Sequence, residues 1–269
     1  MKLGKVLQQY IPAKVFRKIS SAYVRMKFFG TTYSCPLCGG SYKDFFPAGF
    51  DFPVLKELDI VGGGYREHVR CPGCNSSDRD RLFFLYLRDV LNVENRKLHI
   101  LHVAPEEKIQ RYLKSLPNTE HESIDIGSKI ADKKMDIQHI DYPDATFDVV
   151  LCNHVLEHIV DDQKAICELY RVLKVGGTAI LQVPISMKLE KTYEDFTIVT
   201  PKDRETFFGQ DDHVRVYARD YKDRLITGGF SVKVVPYAHE IGENLAQKYS
   251  LNLREDLYVC TKDSLDVSV

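Results

Sequence analysis

The chain alternates short apolar runs with polar loops, and the runs carry two different periods. Residues 147–152 (FDVVLC) are continuously apolar and rich in β-branched side chains, which predicts a strand buried on both faces. Ala165, Ile166, Leu169, Val172 and Leu173 then recur at helical spacing. Gly176-Gly177 reads as a helix stop, and residues 178–183 form a second buried strand. Similar runs at 97–103 (KLHILHV), 121–125 (HESID), 230–235 (FSVKVV) and 257–260 (LYVC) predict further strands, the last two as a hairpin-like pair. Ser77 or Asp78 is placed to cap a helix that buries Leu82, Leu85, Tyr86 and Val90. Residues 221–227 suggest another helix, ended by Gly228-Gly229. Strands alternating with helices predict an α/β fold with a mostly parallel sheet. Ligands of such sheets bind beyond the C-terminal ends of the strands. Asn153, His154, Glu157 and His158 follow the 147–152 strand at once and stand in that place.

Composition narrows this picture. The 269 residues allow one large domain and a small one, and 44% hydrophobic with 28% charged content suits a soluble globular chain. The net charge of -1 gives no global nucleic-acid signal. Charge is unevenly placed, because residues 1–30 hold seven Lys or Arg and no acid. The apolar positions of this segment fit an amphipathic helix broken at Pro12. It reads either as a helix packed on the main domain or as a contact for an anionic membrane surface or a nucleic-acid backbone. No apolar run approaches the roughly 20 residues that span a bilayer, and no secretory signal is visible. The expected location is the cytoplasm, with peripheral membrane contact through residues 1–30 as an option.

Seven cysteines agree with a reducing compartment. Four of them form two CxxC knuckles, Cys35/Cys38 and Cys71/Cys74. Each knuckle presents two thiolates from one side, and two knuckles complete a closed tetrahedral site for a structural Zn2+. The residues between the knuckles are expected in loops, marked by Pro47, Pro53 and Gly62-Gly63-Gly64. Cys152, Cys167 and Cys260 sit in apolar runs and read as core. The expected layout is a basic segment at 1–30, a zinc-ribbon module with a linking helix at 31–96, and a catalytic domain at 97–269. Arg79 and Arg81 of that helix are expected to pair with acids of the main domain or to reach the substrate.

The stretch FDVVLCNHVLEHI followed by LYRVLKVGGTAILQVP resembles the later half of the class I S-adenosylmethionine-dependent methyltransferase core, in its small-molecule (type 11-like) branch. The resemblance implies a Rossmann-like seven-stranded sheet, mostly parallel with its last strand antiparallel. It implies S-adenosylmethionine as cofactor, with Asp125 on the ribose hydroxyls and Asp136 with Ile137 at the adenine. Asn153 and His154 would complete the cofactor site. The chain departs from the family at the first strand, where His102 replaces an acid and the turn Ala104-Pro105-Glu106 has no glycine. There Glu106 is expected to supply the carboxylate facing the cofactor's ammonium, with the Ala104-Pro105 backbone beside it.

Residues 186–217 follow the fifth strand and are expected to cover the cofactor's methyl group. Within them, His213 reads as a general base, Arg215 as an orienter of a carboxylate or phosphate, and Asp195 as a third pocket residue. The alternative is a polar cover in which His213 is held by Asp212. The leading function is methyl transfer to a small-molecule or glycan-linked acceptor. Asn153-His154-Val155-Leu156 lacks the Asn/Asp-Pro-Pro-aromatic motif of nucleobase amino-methylation. The alternatives are a zinc-ribbon RNA methyltransferase, disfavoured by the acidic balance outside residues 1–30, and a degenerate fold used as a binding module.

Overall fold

A computed structural model describes residues 23–24 and 26–264 of the chain. Most of the basic segment, residues 1–22, lies outside the described residues, and so does the proposal for its helix. The centre is a seven-stranded sheet. Its strands are β1 (Leu98–Val103), β2 (Thr119–Asp125), β3 (Lys133–Lys134), β4 (Phe147–Asn153), β5 (Leu173–Gln182), β6 (Ser231–Val235) and β7 (Leu257–Thr261). Their spatial order is 6-7-5-4-1-2-3. β1 to β5 are joined by parallel ladders, while β7 runs antiparallel to both β5 and β6. The expected Rossmann-like sheet with an antiparallel last strand is therefore present.

The helices that bear on the site are α1 (Pro53–Glu57), α2 (Asp78–Asp89), α3 (Glu107–Lys114), α4 (Asp162–Val172), α5 (Pro201–Phe208) and α6 (Tyr221–Thr227). Neighbouring residues of one strand enter opposite cores, which explains the unbroken apolar runs. On β4, Val150 and Cys152 pack with α4 and α6 residues such as Ile166, Leu169 and Leu225. Val149 and Leu151 pack on the other face with Leu82, Leu85 and Ile109 from α2 and α3. Ser77 caps α2 in a capping box with Asp80, each accepting from the other's backbone N–H. Val90 is half exposed and does not join the buried face, because α2 ends at Asp89.

Two expectations of local structure are corrected. α4 ends at Val172, and Leu173 already pairs with Phe147 as the start of β5. Gly176-Gly177 therefore does not cap the helix. It forms a bulge inside β5, with Gly176 at φ +75° and the register shifting between Leu173 and Thr178. The residues between the two knuckles are not merely loops. They include α1, a short antiparallel ladder of Phe46–Ala48 with Arg66–Arg70, and a strand at Ile60–Val61 that pairs with Ile185–Ser186 just after β5. The N-terminal module is thus stitched onto the edge of the site by backbone hydrogen bonds.

α2 carries a second tie. Arg81 is fully buried and donates to the carbonyls of Val69, Ser76, Tyr249 and Ser250. It joins the second knuckle to the loop before β7. Arg81 is not paired with an acid, as the sequence had suggested; backbone carbonyls take all of its bonds. No described helix is long and apolar enough to cross a membrane.

Candidate active site

The turn after β1 explains how the chain manages without a glycine. Ala104 adopts φ +46°, the left-handed conformation that a glycine would provide freely. The turn is held from below by buried His102, which hydrogen-bonds Glu106 Oε2 through Nε2 at 2.7 Å. Asn153 at the end of β4 donates to Glu106 Oε1 at 3.0 Å. Burial opposes the charge of Glu106, but His102 and Asn153 together hold its carboxyl below the usual range. The acid missing from β1 is therefore replaced by a His102–Glu106 pair that delivers a carboxylate to the same strand end. Asn153 Oδ1 is buried with no partner. An orphaned acceptor beside a carboxylate fits an ammonium group.

Glu106, Asn153, Ala104 and His154 line a cavity of about 170 Å³, with Arg79 and Glu255 on its far side. Asp125 ends β2, with its Oδ1 accepting from the N–H groups of Gly127 and Ser128. Asp136 accepts from the Gln138 N–H, and Ile137 beside it is buried. Pro105 is buried under the turn. The residues read from the sequence as a cofactor site thus all lie at the strand ends of β1, β2 and β4 and the loop after β3.

A second cavity of about 510 Å³ adjoins the first and shares Arg79 and His154 with it. Its walls include Pro47 to Phe50, Arg66, Val69 and Arg70 of the N-terminal module, Glu157 and His158 of the turn after β4, Pro184 after β5, and Gln210 and His213 of the cover. His154 is itself strained, at φ +55°. Arg79 Nη1 donates to its Nε2 at 2.6 Å and to the Gly62 carbonyl at 2.7 Å. Burial, then the Arg79 charge, push His154 well below the ordinary imidazole range, so the ring is neutral at pH 7. Burial raises Glu157 to about 8, and burial followed by His158 lowers His213 to about 4. Arg66 is engaged by Asp78 and the Gly64 carbonyl.

The cover holds two corrections. Arg215 is 1% exposed, and four of its five donors are taken within the protein. It bonds Glu194 through Nε at 2.9 Å and the carbonyls of Leu156, Ile159 and Val160 through its two terminal nitrogens. It positions the Leu156–His158 turn, which carries Glu157 and His158. Asp195 accepts from Thr197 on an exposed turn and is not among the residues lining the cavity. His213 does line it. Asp212 does not hold His213; it lies 3.3 Å from Nδ1 of His158.

Sequence reasoning gave no specific role to Glu157 or His158, and offered Arg79 a reach to the substrate only as one of two alternatives. The first two were visible as part of the polar cluster after β4. Arg79 reaches the site only because α2 crosses from the N-terminal module, a placement no local pattern encodes.

In the N-terminal module, the two knuckles fold alike. The Gly39 N–H bonds Cys35 O and the Asn75 N–H bonds Cys71 O, at 2.9 and 2.8 Å. Both residues are left-handed, at φ +68° and +64°. The four sulfurs converge, with Cys35 and Cys74 3.6 Å apart and Cys38 and Cys71 3.8 Å apart. A tetrahedral zinc with Zn–S near 2.3 Å requires sulfurs about 3.8 Å apart, so the donor set fits that ion.

Residues 96–181 match the family model described as a methyltransferase domain. A rice (Oryza sativa subsp. japonica) 2-methyl-6-phytyl-1,4-hydroquinone methyltransferase is 36% identical over 72 residues, 26% of this chain and 22% of that protein. Ajmaline N-methyltransferase of Rauvolfia serpentina is 35% identical over 83 residues, 30% of this chain and 26% of that protein. The chain thus spans about a quarter of the length of these relatives. Among solved structures, the [4+2]-cyclase SpnF aligns with a TM-score of 0.47 at 16% identity, over 69% of this chain and 81% of that one. An S-adenosylmethionine-dependent methyltransferase from Mesorhizobium loti aligns at 0.45 and 14%, over 68% and 99%. Residues 96–181, which carry the parallel strands β1 to β5, are thus similar to a methyltransferase domain, and the match leaves the N-terminal module and the chain after β5 outside it.

Proposed function

We propose that the protein transfers a methyl group from S-adenosylmethionine to a polar, anionic small-molecule or glycan-linked acceptor. The observation that carries this reading is the pair of adjoining cavities that meet at His154 and Arg79. The smaller one offers Glu106 and the orphaned Asn153 Oδ1 to the cofactor's ammonium. Arg79 lines the same cavity and is read as holding the cofactor's carboxylate, while Asp125 at the end of β2 is read as holding the ribose, and Asp136 with Ile137 after β3 the adenine. The cofactor supplies an activated methyl group. The chain's own task is to align the acceptor and exclude water.

The larger cavity receives the acceptor. Arg70 has no hydrogen-bond partner of its own among the described residues, and Arg79 keeps Nε and Nη2 free, so both are available to an anionic group. Neutral His213 is a base for an acceptor hydroxyl, with its proton passing to the ring nitrogen. The tetracysteine cluster is read as a structural Zn2+ site that fixes the wall carrying residues 47–50 and 66–70. Metal analysis of protein prepared without chelator should give about one tightly held zinc per chain. A zinc-free folded protein would remove this part.

The test is methyl transfer from methyl-labelled S-adenosylmethionine to fractionated cell extract. Label is expected in a low-mass or glycan-linked anionic fraction. Label confined to RNA, or the absence of label with a cofactor-binding protein, would overturn the proposed acceptor class.

A further inference from the structure

The floor of the larger cavity carries a cluster that methyl transfer does not require. Glu157, His158 and His213 each present one ligand atom, and the three atoms lie within 4.8 Å of one another. Glu157 is 2% exposed, and its Oε2 has no hydrogen-bond partner. Its Oε1 lies 3.3 Å from Nδ1 of His154, so only one oxygen is spoken for. A buried carboxyl oxygen without a hydrogen-bond partner is costly unless something occupies it.

His158 is held as a metal-ligating histidine usually is. His158 Nδ1 faces Asp212 Oδ1 at 3.3 Å, which leaves Nε2 for another partner. An outer carboxylate of this kind fixes the tautomer and orientation of a ligating histidine. The His213 ring is buried against the His158 ring and lines the same cavity. The rings stand edge to face, with centroids 4.7 Å apart at 82°. The turn bearing Glu157 and His158 is locked by Arg215, and the Val214 N–H bonds Glu157 O, so cover and turn are already registered. Bound around one ion at about 2.1 Å, such ligands would lie about 3.0–3.4 Å apart. On binding, the three ligand atoms would draw in from their present spacing of up to 4.8 Å.

We propose that Glu157, His158 and His213 form a binding site for one divalent transition-metal ion, distinct from the tetracysteine cluster and open to the larger cavity. Two imidazoles and a carboxylate suit Fe2+, Co2+, Ni2+ or Zn2+ rather than Mg2+ or Ca2+. Three protein ligands leave coordination positions free for an oxygen of the molecule in the cavity. That last role rests on the acceptor reading above and takes the place of His213 as base there, because one ring nitrogen cannot serve as both base and ligand; the ion site itself rests on neither.

The experiment titrates the zinc-loaded full-length protein with Co2+ alone. One further equivalent is expected to bind saturably, with visible absorption lacking thiolate charge transfer. X-ray absorption at the cobalt edge should show nitrogen and oxygen neighbours near about 2.1 Å, with no sulfur near about 2.3 Å. Glu157→Gln and His213→Ala should each weaken this binding at least tenfold while zinc content stays unchanged. The proposal is overturned by the absence of saturable binding, by a sulfur shell, or by wild-type affinity in the double variant. The wild-type cobalt spectrum decides even if a variant misfolds. Cofactor titration run in parallel is independent of these outcomes, so failure of the ion site and failure of methyl transfer are told apart.

Discussion

At the residue scale, Ala104 shows how a family pattern can be absent as letters and present as conformation. A left-handed Ala costs about 1 kcal/mol that a glycine would not, and the His102–Glu106–Asn153 bonds hold it there. Ala104→Gly should therefore stabilise the protein by up to about 1 kcal/mol in chemical denaturation. A loss of stability would mean that the turn is set by something other than this strain. Glu122 makes a pH prediction on the neighbouring strand. Burial works against its charge, but hydrogen bonds from Lys133, Tyr142 and His99 outweigh it and bring it down to about 2. A depressed carboxyl contributes stability above its unfolded value of about 4.3 and loses it as pH falls toward the folded one. The melting-temperature gap between wild type and Glu122→Gln should narrow steadily from about pH 4.5 to about pH 2. A constant gap would show that the charge is not what the site uses.

At the element scale, α2 joins the two parts of the molecule. Arg81→Met removes four bonds to buried carbonyls and should cost about 3–5 kcal/mol, read as a lowered thermal midpoint of the zinc-loaded protein. A near-neutral result would show that α2 is held by its apolar face alone. The strands were legible because residues buried on both faces must be apolar at every position. The end of α4 was misread because a glycine pair marks a bulge as readily as a helix cap. The pairing of Ile60–Val61 with Ile185–Ser186 was not legible, since a two-residue strand has no period of its own. Arg215 was misassigned for a related reason. Its identity shows five donors, but only the fold shows that backbone carbonyls and Glu194 take four of them. The strand-end acids and the His213 wall were legible because topology alone carries them to one edge of the sheet.

At the scale of the whole molecule, the N-terminal module is part of the site rather than an appendage. It supplies Arg79 to both cavities and one wall of the larger, and it is pinned by the knuckles, by Arg81 and by the short ladder to the segment after β5. Chelation of the proposed zinc should therefore weaken cofactor binding as well as stability. The central claim is that the strand ends of β1, β2 and β4 hold S-adenosylmethionine in spite of the glycine-free turn. Calorimetric titration of the zinc-loaded protein with S-adenosylhomocysteine tests it most directly. One site per chain is predicted, weakened by about 1–3 kcal/mol in each of Asp125→Ala and Asn153→Ala. The absence of detectable heat or competition at millimolar ligand, with the protein folded, would contradict the account and leave the fold as a non-catalytic binding module.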